Sequence, residues 1–167
     1  MSEPYGRSYQ LGQLAKYRDA GSNHWRHRIR LARDLAEEYA LPRLAKPPEE
    51  LTMLDVGCSI GTFALEFAAL GYKACGVDSD AEALEIAERL GTERGLDVEW
   101  VLADVKDLGI ESGRSDVIVC FDVFEHLHDD ELGALLWHLR RRLSPRGSLL
   151  FHTYPTSTTS SSMNAGR

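Results

Sequence analysis

The chain has 167 residues, 43% of them hydrophobic and 27% charged, with a net charge of −7; this suffices for one domain with a sizeable core and is ordinary for a globular protein. The acid excess argues against a broad nucleic-acid surface, so no nucleic-acid partner is expected. No apolar run reaches membrane-spanning length and no basic-plus-apolar leader is present, so a cytoplasmic location is expected.

Residues 1–22 are polar with scattered Tyr and Leu and read as a loose lead-in, ahead of a domain over residues 23–155. Asn23 can cap a helix running to about Tyr39, with Trp25, Ile29, Ala32, Ala36 and Tyr39 inward. Arg26, Arg28, Arg30 and Arg33 fall on its other face, a solvated stripe or a grip for an acidic substrate group. Pro42, Pro47 and Pro48 should end the helix.

The stretch Leu54-Asp-Val-Gly-Cys-Ser-Ile-Gly-Thr-Phe63 organises the chain. Apolar Leu51, Met53 and Leu54 read as the end of a buried strand, and a helical run starts at Thr62. A strand turning through glycines into a helix leaves backbone N–H groups where a ligand can approach. Asp55, just before the glycines, instead favours a ligand carrying positive charge and disfavours a pyrophosphate.

Beyond it, Thr62–Leu70 reads as a helix stopped by Gly71, and Tyr72–Val77 as a strand ending at Asp78. Ser79 and Glu82 form a capping-box pattern for a helix to about Arg94, closed by Gly95. Val98–Ala103 is a third strand, followed by Asp104. Asp116–Phe121, apolar on both faces, reads as a central parallel strand. A loop, Asp122-Val-Phe-Glu-His-Leu127, leads to a helix from Asp129 or Asp130 carrying Leu132, Leu135, Leu136, Leu139 and Leu143. Arg140, Arg141 and Arg142 suit the negative end of its dipole. Pro145 and Gly147 turn into a strand over Ser148–Thr153, and the Ser/Thr-rich residues 156–167 are expected to be disordered. Cys58, Cys75 and Cys120 are odd in number, widely spaced and form no Cys-x-x-Cys pair. Buried, reduced thiols are expected, with no disulfide framework and no metal site.

Strands and helices thus alternate five times, which predicts an α/β fold: a Rossmann-like, doubly wound parallel sheet with helices on both faces. In such sheets ligands bind beyond the carboxyl ends of the strands. Asp55, Asp78, Asp104 and Asp122 all fall at strand ends, so four acids should share one rim. Asp78 can accept both ribose hydroxyls of a nucleoside, Asp104 an exocyclic adenine amine, and Asp55 an ammonium, directly or through water.

These residues resemble a known family. Asp55-x-Gly57-x-x-x-Gly61, Gly76-Val-Asp78, Ala103-Asp104 and Phe121-Asp-Val-Phe-Glu-His126 are similar to the ordered motifs of class I S-adenosylmethionine-dependent methyltransferases. The His-containing loop and Thr153-Tyr-Pro155 are similar to the subgroup that includes the ubiquinone-biosynthesis O-methyltransferases. The resemblance runs from about Met53 to Pro155. It implies S-adenosylmethionine as cofactor and methyl transfer to a small-molecule acceptor through oxygen or nitrogen. It places Asp55, Gly57 and Gly61, with Cys58 and Ser59 between them, around the methionine part. Asp78 and Ser79 would lie at the ribose, Asp104 and Val105 at the adenine, and Phe121 and Asp122 beside the transferring methyl. Ser59 stands where many members carry a middle glycine.

His126, in the loop after the central strand, is the candidate base for an oxygen acceptor or else a structural cap of that loop. Glu125 could orient it; His128 and His152 are reserves. The family's sheet normally continues into another helix and an antiparallel hairpin, which this sequence lacks. That reads as a fragment of a longer protein or a truncated gene product, with one sheet edge uncovered. Two other readings stand beside the enzyme. A nicotinamide-dependent dehydrogenase would use Asp78 similarly, but Gly57-x-x-x-Gly61 is not Gly-x-Gly-x-x-Gly. A catalytically silent S-adenosylmethionine-binding module of a larger assembly is the alternative. The acceptor and the oligomeric state are not legible in the residues.

Overall fold

The structure, a computed structural model, describes residues 6–19, 23–104, 108 and 114–153. Val105 and the Ser/Thr-rich tail lie outside the described residues. Five parallel strands form one sheet in the order β3-β2-β1-β4-β5: β1 Thr52–Val56, β2 Lys73–Asp78, β3 Val98–Leu102, β4 Ser115–Phe121 and β5 Leu143–His152. The order reverses between β1 and β4, which is where such sheets open a crevice for ligands. There is no antiparallel hairpin among the described residues. No helix there is long and apolar enough to cross a membrane.

Both sheet faces are covered, so the central strands are apolar without alternation. Met53, Val117 and Val119 pack beneath α2 (Asn23–Leu35) and α4 (Thr62–Ala69), against Ala32, Ala36, Phe63 and Phe67. Leu54, Ile118 and Cys120 face the other way, onto Leu135 and Leu139 of α6 (Asp129–Arg142). Ile60, Leu65, Ile86 and Leu90 make a third cluster joining α4 to α5 (Ala81–Arg94), closed by Leu14 of α1 (Arg7–Arg18). Three expectations on α6 and the thiols are sharpened here. Leu136 is exposed, whereas Arg142 is buried. The three cysteines are free; Cys58 and Cys120 are buried, Cys75 only half-buried, and desolvation pushes the thiols up, Cys75 to about 11.

The N-terminal region departs from the expected loose lead-in, because Arg7–Arg18 is a helix. Its polar residues Gln10 and Gln13 are buried against the domain rather than solvated. The helix from Asn23 also outlasts Pro42. A π turn at Ala36–Ala40 widens the backbone, and Pro42 then sits in the first turn of α3 (Leu41–Leu44), where its missing N–H and bulky ring are tolerated. The extra residue in that turn rotates the inward face. Ala32, Ala36, Ala40 and Leu44 form the buried row, and Tyr39, expected inward, is exposed.

Two smaller differences are chemical. α5 is capped by Asp80, whose Oδ1 accepts from Ala83 N–H at 3.1 Å, so the Ser79–Glu82 capping box does not form. The turn expected at Pro145 and Gly147 is absorbed into β5 as an irregularity, since pairing shifts from Ser115 with Leu143 to Val117 with Ser148.

Candidate active site

Strand order sets the order of groups along the carboxyl rim: Asp104 after β3, Asp78 ending β2, Asp55 in β1, Asp122 after β4, and His152 ending β5. Asp55 lies within its strand rather than past it. Its side chain is buried beneath the loop, where Oδ2 accepts from Ala64 N–H at 3.0 Å at the start of α4. The α4 N-cap, Gly61, has no side chain to offer, and Asp55 does that work from below. Burial drives its carboxyl up to about 7, opposed by the amide hydrogen bonds of Ala64 and Phe63.

The glycine loop is held by three left-handed residues, Gly57 at φ 69°, Ser59 at φ 48° and Gly61 at φ 78°. A left-handed middle position suits glycine, and Ser59 occupies it at a cost of about 1 kcal/mol. Two of the glycines serve close packing. A Cβ on Gly57 would stand 2.6 Å from Val123 Cγ2, and one on Gly61 would strike the Trp100 ring. Gly76 makes room for the same indole, its Cβ position being 2.5 Å from Trp100 Cζ3.

Four backbone donors of this turn, those of Gly57, Cys58, Ser59 and Gly61, are not left over for a ligand, contrary to the expectation from the glycines alone. Gly57 and Cys58 N–H donate to the Val77 carbonyl, Gly61 N–H to the Cys58 carbonyl, and Ser59 N–H to Asp78 Oδ2 at 2.7 Å. Asp80 N–H donates to Asp78 Oδ1 at 2.9 Å. With Asp55 taking the amides of α4, these donors are matched to carbonyls or carboxylates. Such a loop presents acid, and a pyrophosphate would meet repulsion in place of a nest of N–H groups. That weighs against the dinucleotide reading on structural grounds. Burial also raises the Asp78 carboxyl, with the Asp80 and Ser59 amides pulling it back.

Gln10 of α1 roofs this half of the rim. It is 2% exposed, its Nε2 donates to Asp80 Oδ2 at 2.7 Å, and its Oε1 accepts from Ser59 Oγ at 3.1 Å. Ser79 and Asp104 are exposed beside Asp78, and Ala103 N–H donates to the Asp78 carbonyl. Nothing in the sequence reading pointed to Gln10, because a glutamine in a polar lead-in carries no signal of burial.

The other half of the rim is built from side chains. Asp122 follows buried Phe121 and has φ 57°, an unusual backbone for a non-glycine residue. Its Oδ2 accepts from Arg28 Nε and its Oδ1 lies against His152 Nδ1, both at 2.6 Å. Arg28 therefore leaves the solvated stripe in which Arg26 and Arg30 remain; it is 7% exposed and ion-paired. The missed signal was position, since Arg28 stands four residues before Ala32 on the buried row. His152 is a partner of Asp122 rather than merely a packed strand residue, and its ring lies 5.6 Å from that of Phe121. His126 is exposed on the short turn Phe124–His126, and Glu125 Oε2 accepts from Thr153 Oγ1 at 3.0 Å.

Residues 53–147, more than half of the chain, match the family described as a methyltransferase domain. The chain belongs to that family. This methyltransferase-domain chain is 33% identical over 91 residues to a ubiquinone biosynthesis O-methyltransferase of Chelativorans sp., covering 54% of this chain and 36% of the relative. It is 27% identical over 152 residues to the Erwinia tasmaniensis protein of the same name, covering 85% and 60%. The chain thus spans about half the length of these relatives. Among solved structures, the PH0226 protein from Pyrococcus horikoshii OT3 shares the fold, with a TM-score of 0.70 at 24% identity over 89% of this chain and 62% of that one. PKMT2 from Rickettsia typhi, solved in complex with AdoHcy, gives a TM-score of 0.59 at 26% identity over 71% of this chain and 23% of that one. The methyltransferase domain therefore has the Rossmann-like architecture expected from the alternation of strands and helices.

Proposed function

We propose that this protein transfers a methyl group from S-adenosylmethionine to an oxygen of a small-molecule acceptor. One observation carries the cofactor: an acid-lined rim on which the amides of Gly57, Cys58, Ser59 and Gly61 are already matched, which suits a cationic nucleoside better than a phosphate. The AdoHcy complex of the Rickettsia protein supports the same choice, and the O-methyltransferase names of the relatives support oxygen as the acceptor atom.

Asp78 would accept the ribose hydroxyls, and Asp104 with Val105 would border the adenine. Gly57, Cys58, Ser59 and Gly61 would line the methionine part, with Phe121 and Asp122 flanking the reacting end. Ser79 would lie beside the ribose. Asp55, beneath the loop, would act by fixing the start of α4 under the methionine end of the cofactor. When bound, the cofactor supplies a methyl group on a sulfonium, and its transfer neutralises that charge, so the chain's own task is to align the acceptor and exclude water.

Calorimetry with S-adenosylhomocysteine tests the assignment. Asp78→Ala is expected to weaken binding by about 1–3 kcal/mol, the loss of a charge-assisted pair of hydrogen bonds. Unchanged affinity would remove Asp78 from the site.

A further inference from the structure

We propose that His152, oriented by Asp122 and Arg28, is the base that takes the proton of a hydroxyl acceptor. This rests on the methyl-transfer reading and goes beyond it by naming the group and the acceptor class, a phenol or similar hydroxyl that must be deprotonated to attack.

The argument is geometric. β4 and β5 are paired so that Phe121 lies opposite His152, and Asp122 N–H donates to the His152 carbonyl at 2.8 Å. That backbone bond fixes the two residues against each other before their side chains meet. The left-handed backbone of Asp122 then carries its carboxylate back onto the imidazole at 2.6 Å. Arg28 holds the second carboxylate oxygen from α2, across the first face of the sheet. A carboxylate accepts and cannot donate when ionised, so the proton between the two lies on His152 Nδ1. The tautomer is thereby set, and Nε2 is the basic nitrogen. An acid that fixes an imidazole in this way is the orienting member of a base pair, whatever the fold.

The proton step balances simply. The acceptor O–H bond breaks, its proton goes to Nε2, and the electron pair stays on oxygen as the nucleophile. The imidazolium is stabilised by Asp122 and returns the proton to water. Asp122 and Arg28 are positioning residues, since they act through His152. What selects His152 is a chain of three side chains, Arg28 on one oxygen of the Asp122 carboxylate and the imidazole on the other.

The test compares two phenols in the intact chain. Catechol must lose a proton to react; 4-nitrophenol is already ionised at mildly alkaline pH. His152→Gln is expected to lower kcat on catechol by about a hundredfold with KM little changed, and transfer to 4-nitrophenol by less than about threefold. S-adenosylhomocysteine affinity by calorimetry should stay at the wild-type value. Imidazole added to His152→Ala should restore part of the catechol rate. In a separate measurement, nitrogen-15 NMR of the wild-type imidazoles should show His152 protonated at Nδ1. Equal losses on both phenols, a proton on Nε2, or no transfer to either phenol while S-adenosylhomocysteine binds would each overturn the base assignment and leave the cofactor reading standing. The catechol-selective loss appearing in His126→Ala and not in His152→Gln would do the same. Failure of the wild-type chain to bind S-adenosylhomocysteine would defeat the cofactor reading, and the base with it.

Discussion

The two halves of the rim are built on different principles. On the β1–β2 side, acids are matched to backbone amides: Asp55 to α4, and Asp78 to Ser59 and Asp80. On the β4–β5 side, Asp122 is matched to side chains from distant segments, Arg28 and His152. Backbone partners are fixed by the strand–loop–helix frame that carries them, so the first half is a rigid seat. Side-chain partners can be exchanged without unmaking the fold, which suits the half where the proposed base would meet an acceptor.

The largest expected effect tests the rigidity of the seat. Gly61→Val forces a branched side chain into a left-handed backbone and into the Trp100 ring, and should cost at least about 3 kcal/mol in urea unfolding. A cost below about 1 kcal/mol would mean that the loop yields and that the contrast between the halves is wrong.

Next comes Asp55. Its folded carboxyl titrates at about 7, above an ordinary value of 3.8, so the folded state holds a proton that the unfolded chain has released. The stability from this group is full below the ordinary value and is lost as pH rises through about 7. Asp55→Asn keeps an oxygen for Ala64 N–H and removes the titration. Its stability advantage over the wild type should therefore grow between acid and neutral pH, by up to about 4 kcal/mol. Unfolding curves across that range check it; parallel profiles would place the acid in contact with water.

Arg28→Ala probes the other half. It takes the buried guanidinium from an Asp122 side chain that is itself 27% exposed, so a loss of about 1–2 kcal/mol is expected, less than for a fully buried pair. Smallest of all is Arg18→Ala, which breaks the exposed bridge to Glu93 and should change stability by less than about 0.5 kcal/mol. Thermal melts of the two variants side by side separate a structural ion pair from a decorative one.

The same division explains what the sequence disclosed. Glycines, strand-end acids and the apolar runs around them are local patterns, and they locate the sheet, its order of elements and the Asp55–Asp78 side. The matching of the Gly57, Cys58, Ser59 and Gly61 donors was not legible, because Ser59 N–H meets Asp78 across 19 positions of chain. Arg28 and Asp122 are 94 positions apart, and Gln10 and Asp80 are 70 apart. No period or spacing joins such residues; only the folded sheet does. Tyr39 misled for another reason, since one wide turn between Ala36 and Ala40 shifts every later position on the helix by one residue.

Trp100 has a use beyond packing. Its indole is wedged between Gly61 and Gly76, under the loop proposed to hold the cofactor. The chain has two other indoles, Trp25 and Trp137, and replacing both by phenylalanine would isolate its emission. The protein then carries its own optical gauge of that loop, able to report occupancy and its rate in stopped flow with no label attached.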